Sequence, residues 1–436
     1  MYTNRVSVLI STCCLSAMVG NEVQWPEYRG LHADGVSPNH GLPQSWSETE
    51  NVRWKIPTHG YAWSSPVVWD NQVWLTTASK DGHQLEVIAC DRETGKILID
   101  RKIFDIEKPQ PVYHYNTYAS PTPAIEAGRI FVTYGAAGTA CLNTKNGEIM
   151  WKRQDLIVTH YRGAGSSAIL DETSLYLHFD GIDKQFVIAL DKATGKTRWQ
   201  TDRSIDFRDL DPEGKPRQSG DERKSFATAR LATFDGHRLL LSSGAKAFYA
   251  YDPTNGAEIW RVAEQTCHSA ASRPVLLDGL VFVPTGFSNG QLLAIRPGKQ
   301  GENIDANSET NLPSQLRVVW KTRRNVPKKP SLIIVNNLLF GIDDSGIATC
   351  WDPRTGAVHW NERIGGNHSA SPVAADGKIY FFSEDGKGTV IEGQSKFKIL
   401  ATNKLSEGTM ASPAISDRAL IVRGTDHLYC LTQDSK

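Results

Sequence analysis

The sequence lacks a surplus of either charge. Its 48 basic side chains are balanced by 48 acidic ones, which leaves no net field to draw in nucleic acid or an anionic membrane surface. It also lacks a membrane-spanning run: the most apolar stretch, Val6 to Val19, is too short to cross a bilayer as a helix. Cysteine is scarce, with 7 in 436 residues and no CxxC spacing, so neither a zinc motif nor a disulfide framework follows. HExxH is absent, and the 12 histidines are scattered singly, so no metal constellation is visible locally.

The chain does have 36 Gly, 21 Pro and 12 Trp. That composition predicts many short strands joined by tight turns, with little helix, an arrangement able to hold this length in one domain. The N-terminus reads separately. Arg5 followed by Val6 to Val19 suits the h-region of a secretory signal, with cleavage after Ala17, so residues 1–17 are expected to direct export. Ile10-Ser11-Thr12-Cys13 approximates a lipobox, although Thr before the Cys departs from it. Residues 18–50 read as an extension and 51–436 as a single domain.

The organising feature is a repeat. Ser65-Pro66-Val67-Val68-Trp69-Asp70-Asn71-Gln72-Val73-Trp74 gives a strand, a polar turn and a strand. It returns near Pro123, Ala168, Leu231, Pro274, Leu332, Pro372 and Pro413, a spacing of about 50 residues that matches propeller repeats. The second strand's first apolar residue falls seven positions on, as in Val73, Ile130, Leu175, Val281, Leu339, Ile379 and Leu420; the copy at Leu231 is looser by about one residue. A second element follows, cleanest as Ala189-Leu190-Asp191-Lys192-Ala193-Thr194-Gly195-Lys196-Thr197-Arg198-Trp199, and recurs ending at Trp151, Trp260 and Trp360. Asp there can accept backbone hydrogen bonds within the turn, and Gly takes the positive φ that other residues resist. Each repeat is thus predicted to be four antiparallel strands, one propeller blade, with Trp filling the gap between sheets.

The last repeat shows three strands, near Ser412 to Ser416, Leu420 to Arg423 and His427 to Leu431. The fourth is expected from Asn51 to Ile56, because Trp54 precedes Pro66 by 12 residues as Trp320 precedes Leu332 and Trp360 precedes Pro372. Pairing it with the C-terminal strands closes an all-β, eight-bladed ring. Cys141, Cys350 and Cys430 share one strand position that Ala189 and Ala250 fill elsewhere, as small buried residues do.

The Ala-Leu-Asp-x-x-Thr-Gly-Lys-x-x-Trp form resembles the tryptophan-docking repeat of quinoprotein dehydrogenases and their non-enzymatic relatives. Trp25-Pro26-Glu27-Tyr28-Arg29-Gly30 with Asp34-Gly35-Val36-Ser37 resembles the opening of PQQ-binding-like β-propeller repeat proteins. The likeness runs through Leu293 to Pro297 and Ser369 to Pro372 as far as His427 to Tyr429. It implies fold more than activity, because that superfamily holds both dehydrogenases and the outer-membrane β-barrel assembly lipoprotein. The resemblance makes pyrroloquinoline quinone (PQQ) and calcium the cofactors to consider. In the dehydrogenases of the family a Trp floor and an adjacent Cys-Cys disulfide hold the quinone beside calcium and a base Asp. Here the only adjacent pair, Cys13 and Cys14, lies in the expected signal. Asp209-Leu210-Asp211-Pro212-Glu213-Gly214 matches the first half of an EF-hand loop, but its twelfth position is Gly220 where a Glu is needed. It lies in a charge-mixed insertion, Thr201 to Ser225, that reads more simply as a solvated hairpin.

What remains is the channel mouth, where connectors entering the inner strands should gather. Trp63, His114, Asn116, Tyr118, Arg162, Arg230, His268, Arg273, Lys329 and His368 sit in those connectors, with His160, Lys328 and Met410. Such a polar, aromatic and cationic set suits a small anionic or hydroxyl-rich ligand; equally, its members could pair with blade carboxylates at the rim. Two functional classes are carried forward. One is an exported, monomeric, non-catalytic propeller binding a protein or envelope component through its loop face. The other is a small-ligand enzyme or sensor, dehydrogenase-like if catalytic.

Overall fold

Strand pairing follows the repeat. In a computed structural model describing residues 24–308 and 315–433, Val67–Trp69, Gln72–Ala78, Gln84–Asp91 and Ile97–Asp105 pair in chain order as blade 1. The expected signal, with Cys13 and Cys14, lies outside the described residues. Blades 2 to 8 begin at Ala124, Ile169, Arg230, Val275, Ile333, Val373 and Ala414, giving an eight-bladed propeller. The one helical element among the described residues is the 3-10 segment Arg217–Arg223.

Alternation along each strand sends side chains to both neighbouring gaps, so every blade is buried on two faces. Trp74, Val87 and Ala89 of blade 1 meet Ile130, Val132 and Ala140 of blade 2, while Val73 and Leu75 face Leu420 and Val422 of blade 8. Where a repeat carries the Trp, it has a defined place; blades 1 and 7 have Ile99 and Ala401 instead. Trp151, Trp360 and Trp54 lie across the strand pair from Cys141, Cys350 and Cys430, and Trp199 and Trp260 from Ala189 and Ala250. These positions must be small because the indole covers them; a larger side chain there would overpack the gap. All five described cysteines are buried and free.

The indole N–H then reaches the next blade: Trp54 Nε1 donates to Arg92 O (2.9 Å), Trp151 to Lys192 O (2.9 Å) and Trp199 to Pro253 O (2.9 Å). The receiving turn is shaped by its Asp. Asp191 Oδ1 accepts from the N–H groups of Ala193 (3.1 Å) and Thr194 (3.0 Å). Gly195, at φ +71°, is required twice, since a Cβ there would also stand 2.7 Å from the Trp151 ring.

The ring closes as the sequence predicts. Val52–Pro57 pairs antiparallel with His427–Thr432, setting Trp54 opposite Cys430. Blade 4 departs from the pattern by more than one residue. Leu231 pairs with Leu240, nine positions on, where Val68 pairs with Val73, five positions on, so its first hairpin is four residues longer. Glu302–Asp305 also adds a parallel fifth strand beside Glu258–Ala263, covering Trp260.

Residues 24–50 do more than extend the chain. Trp25 exchanges two backbone hydrogen bonds with Val68 of blade 1 (2.9 Å each), and Pro26 O accepts from Ile125 N of blade 2 (2.8 Å). Tyr28 then reaches Ser371 ahead of blade 7 (Oη to Oγ, 2.8 Å). Val36–Ser37 lies parallel to Val373–Ala375, and Asn39 Nδ2 donates to Asp417 O of blade 8 (2.6 Å). The segment therefore crosses the axis and closes one end of the channel.

Candidate functional site at the channel mouth

A hydroxyl just ahead of seven of the eight inner strands ties the blades together at the open end. Ser65 N donates to Thr122 Oγ1 (3.0 Å), Thr122 N to Ser167 Oγ (2.9 Å) and Ser167 N to Thr228 Oγ1 (3.0 Å). Arg273 N, Ser331 N, Ser371 N and Ser412 N continue the round to Ser331, Ser371, Ser412 and Ser65, at 2.9, 2.8, 2.8 and 3.1 Å. The link between blades 4 and 5 differs because Arg273 stands where a hydroxyl would accept. These buried bonds fix the rim, since a lost partner would strand a buried N–H.

Above this ring lies a cavity of about 860 Å³. Its floor is Tyr28, and Trp63, Tyr113, Tyr115, Phe226, Phe287 and Met410 supply apolar wall. Of the ten residues expected at the mouth, Trp63, Asn116, Arg162, His268 and Lys329 line it. Trp63 packs edge-on to Tyr61 (4.8 Å), and its buried Nε1 has no hydrogen-bond partner. Asn116 is used up holding its connector, donating to Arg162 O (2.9 Å) and Ala164 O (3.0 Å). His268 Nδ1 is 2.9 Å from Ser269 Oγ, and burial holds its pKa below the usual range.

Of the lining cations Arg162, Lys328 and Lys329, the first and last are matched by carboxylates, while Lys328 Nζ lies 5.4 Å from the Phe287 ring. Arg162 grips Asp221 through Nε and Nη2 (2.5 Å each) and stacks on Tyr113 (4.6 Å). Lys329 Nζ stands 2.9 Å from Glu384 Oε1 and 3.7 Å from Asp344 Oδ1, with the Tyr115 ring 5.8 Å away. Burial pushes the Asp344 carboxyl up despite Lys329. Pairing with rim carboxylates, rather than an open cationic pocket, is thus what the geometry presents.

The other five expected residues fall elsewhere. His114 is exposed, wedged between Tyr113 and Tyr115 at 4.1 and 4.2 Å. Tyr118 lines a separate cavity of about 270 Å³ beside His160. His368 is buried; its Nδ1 has no partner, and burial lowers its pKa to about 4. Arg230 and Arg273 are at the opposite end of the channel, where Arg273 Nη2 meets Glu27 (2.8 Å) and Arg230 Nη2 donates to His32 O (3.0 Å). Their side chains turn inward to the N-terminal segment, which sequence position within a repeat does not reveal. In the half EF-hand stretch, Asp209 accepts two hydrogen bonds from Arg223 (2.8 and 2.7 Å), and Asp211 Oδ1 accepts from Lys215 N (2.8 Å). No group of three or more His, Cys, Asp or Glu among the described residues is arranged to hold a metal ion.

Sequence reasoning missed Tyr28, Tyr113 and Tyr115. For the hydroxyl ring a signal existed: Ser65, Thr122, Ser167, Ser331, Ser371 and Ser412 immediately precede repeat starts. For Tyr28 none did, because residues 24–50 lie outside the repeat.

The arrangement offers aromatic stacking and hydrogen bonding around a rigid rim, with one hydroxyl beside an imidazole, Ser269 Oγ at 2.9 Å from His268 Nδ1. It does not fit a polyanionic quinone. Of three lining cations, Arg162 and Lys329 are held by carboxylates, which leaves Lys328 alone against a polyanion, and Asp344 and Glu384 present negative charge on the same wall.

The family model described as outer membrane protein assembly factor BamB matches residues 44–206 and 183–431, overlapping stretches that cover most of the sequence. The chain belongs to this family. The BamB of Yersinia pestis is 22% identical over 282 residues, 55% of this chain and 67% of that protein. The solved BamB of Moraxella catarrhalis superposes with a TM-score of 0.58 at 13% identity, over 88% of this chain and 98% of that one. The quinohemoprotein alcohol dehydrogenase of Comamonas testosteroni gives a TM-score of 0.55 at 12% identity, over 96% and 82%. At such identities the solved structures establish the fold that BamB and the dehydrogenases share. No helix among the described residues is long and apolar enough to cross a membrane.

Proposed function

We propose that this protein is an exported, non-catalytic propeller that binds a protein partner in outer-membrane assembly through its loop face. One observation carries the reading: Tyr113, Tyr115 and Tyr161 stand 41%, 59% and 46% exposed beside a mouth where Arg162 and Lys329 are already paired with carboxylates. Exposed aromatics on a rigid rim are the material of protein interfaces, where they bury large area at little entropic cost. Family membership supports the same reading, since the BamB proteins are outer membrane protein assembly factors. The test is complementation in a strain lacking the gene, scored by folded outer-membrane β-barrel protein. Wild-type chain restores the level and a Tyr113→Ala, Tyr115→Ala, Tyr161→Ala variant does not. Full restoration by that variant overturns the reading.

A second reading has Lys328 in its favour, a cation on the mouth wall paired with no carboxylate among the described residues: a small ligand seated in the mouth. It is checked by thermal unfolding of the chain from Met18 onward with pyrroloquinoline quinone and calcium. The partner-binding reading expects no saturable shift, whereas stabilisation beyond about 2 kcal/mol would establish specific binding of the quinone.

A further inference from the structure

The closed end of the channel carries a second cavity, of about 490 Å³, which opens on the underside between the N-terminal segment and blades 2 to 5. Glu27, His32, Glu126, Leu170, Arg230 and Arg273 are on its wall. Its charges are not all paired. Arg273 is occupied, 2.8 Å from Glu27, donating from Nε to Ala229 O (2.8 Å) and from Nη1 to Tyr28 O. Glu126 is doubly compensated, 2.6 Å from Lys192 Nζ and 2.5 Å from Arg129 Nη2.

Arg230 differs. It is 8% exposed, and among the described residues no carboxylate lies within ion-pair distance of it. Nη1 donates to Pro274 O (3.2 Å) and Nη2 to His32 O (3.0 Å), two of the five N–H donors a guanidinium carries. Burial, then the nearby Arg273 cation, lowers its pKa to about 10, so it stays charged at neutral pH. Asp34 and Glu27 act on it from beyond ion-pair distance, Glu27 being engaged by Arg273, so the buried cation is only partly compensated, and a guanidinium on the wall of a solvent-connected cavity is shaped to take paired oxygens.

We propose that this underside cavity binds a small oxyanion, a phosphate or a dicarboxylate, on the free N–H edge of Arg230. The site is independent of the loop face. A bound anion would join His32 of the N-terminal segment to blade 4 and hold the closed end shut.

The test is thermal denaturation of the full chain titrated with inorganic phosphate and, separately, succinate, at ionic strength held constant with sodium chloride. At least one gives a saturable rise in Tm beyond the chloride control, and which one does so identifies the anion class. Arg230→Gln weakens half-saturation by about tenfold or more, the scale of a charge-assisted hydrogen bond. Leu170→Asp, which places a carboxylate on the cavity wall while leaving Arg230 intact, weakens it similarly and reads the site even if Arg230→Gln fails to fold. Arg354→Gln, in an exposed turn of blade 6, leaves it unchanged. No saturable rise with either anion in the wild-type chain overturns the proposal, as does undiminished binding in folded Leu170→Asp or Arg230→Gln.

Discussion

The two ends of the channel use the same residue types under opposite conditions. At the mouth, Lys329 and Arg162 hold carboxylates on connectors that water still reaches, with 29% and 32% of their side chains exposed. At the closed end, Arg273 is 1% exposed and holds Glu27, from a segment 246 positions earlier. A pair near water contributes little, because solvent screens it and can replace either partner. A buried pair is costly to break, because removing one member leaves the other charged in a place water cannot reach. One end is therefore adjustable surface, and the other is structure.

The largest expected effect tests that contrast directly. Arg273→Ala should destabilise the fold by about 3–5 kcal/mol, since it strands the Glu27 carboxylate, measured as a fall in the urea midpoint. From the sequence this substitution reads as loss of ligand affinity without unfolding; the geometry makes it a stability change. Trp54→Ala should cost a similar amount, about 3–5 kcal/mol, by opening the gap between blade 8 and blade 1. An unchanged midpoint for Trp54→Ala would mean that Val52–Pro57 does not carry the closure.

Acid should separate the ends next. Burial holds His160 at about 3 and His368 at about 4, and drives His178 well below its usual value. Between the unfolded value near 6.5 and these folded values the unfolded chain binds protons that the native one does not. Stability contributed by these groups is then complete above about pH 6.5 and lost as pH falls toward 4, by up to about 1.4 kcal/mol per pH unit for each histidine. Glu27 has the opposite sign: burial raises its pKa, so its contribution is present at low pH and lost as pH rises through the folded value. Urea midpoints measured from pH 7 to pH 4 should fall, and His368→Gln should make the fall shallower. The smallest change is Lys329→Ala at the mouth, expected to cost about 1 kcal/mol or less; a loss comparable to that of Arg273→Ala would erase the contrast between the ends.

Much of the fold could be read because its causes are local. The Asp-x-x-Thr-Gly turn, the two-residue period of the strands and the Trp opposite a small residue each act over a dozen positions, so repetition exposes them. Ring closure by Trp54 was legible for the same reason, its spacing to Pro66 repeating that of Trp320 and Trp360 to the strands after them. The longer hairpin of blade 4 was not, because lengthening both strands leaves the turn chemistry at Asp235 and Gly236 unchanged.

The site was legible in part. Connectors could be assigned to one face, and Trp63, Asn116, Arg162, His268 and Lys329 do line the mouth. Their partners could not be assigned, since Asp221 and Glu384 come from an insertion and another blade, 59 and 55 positions from Arg162 and Lys329. Repetition by itself determined the all-β ring, its eight blades and its closure, because turn chemistry and strand alternation are short-range and recur. Only the tertiary structure decided which end of the channel each charge serves. Residues 24–50 carry no period, and the contacts that seat them, from Tyr28 to Ser371 and from Glu27 to Arg273, exist only once all the blades have closed around them.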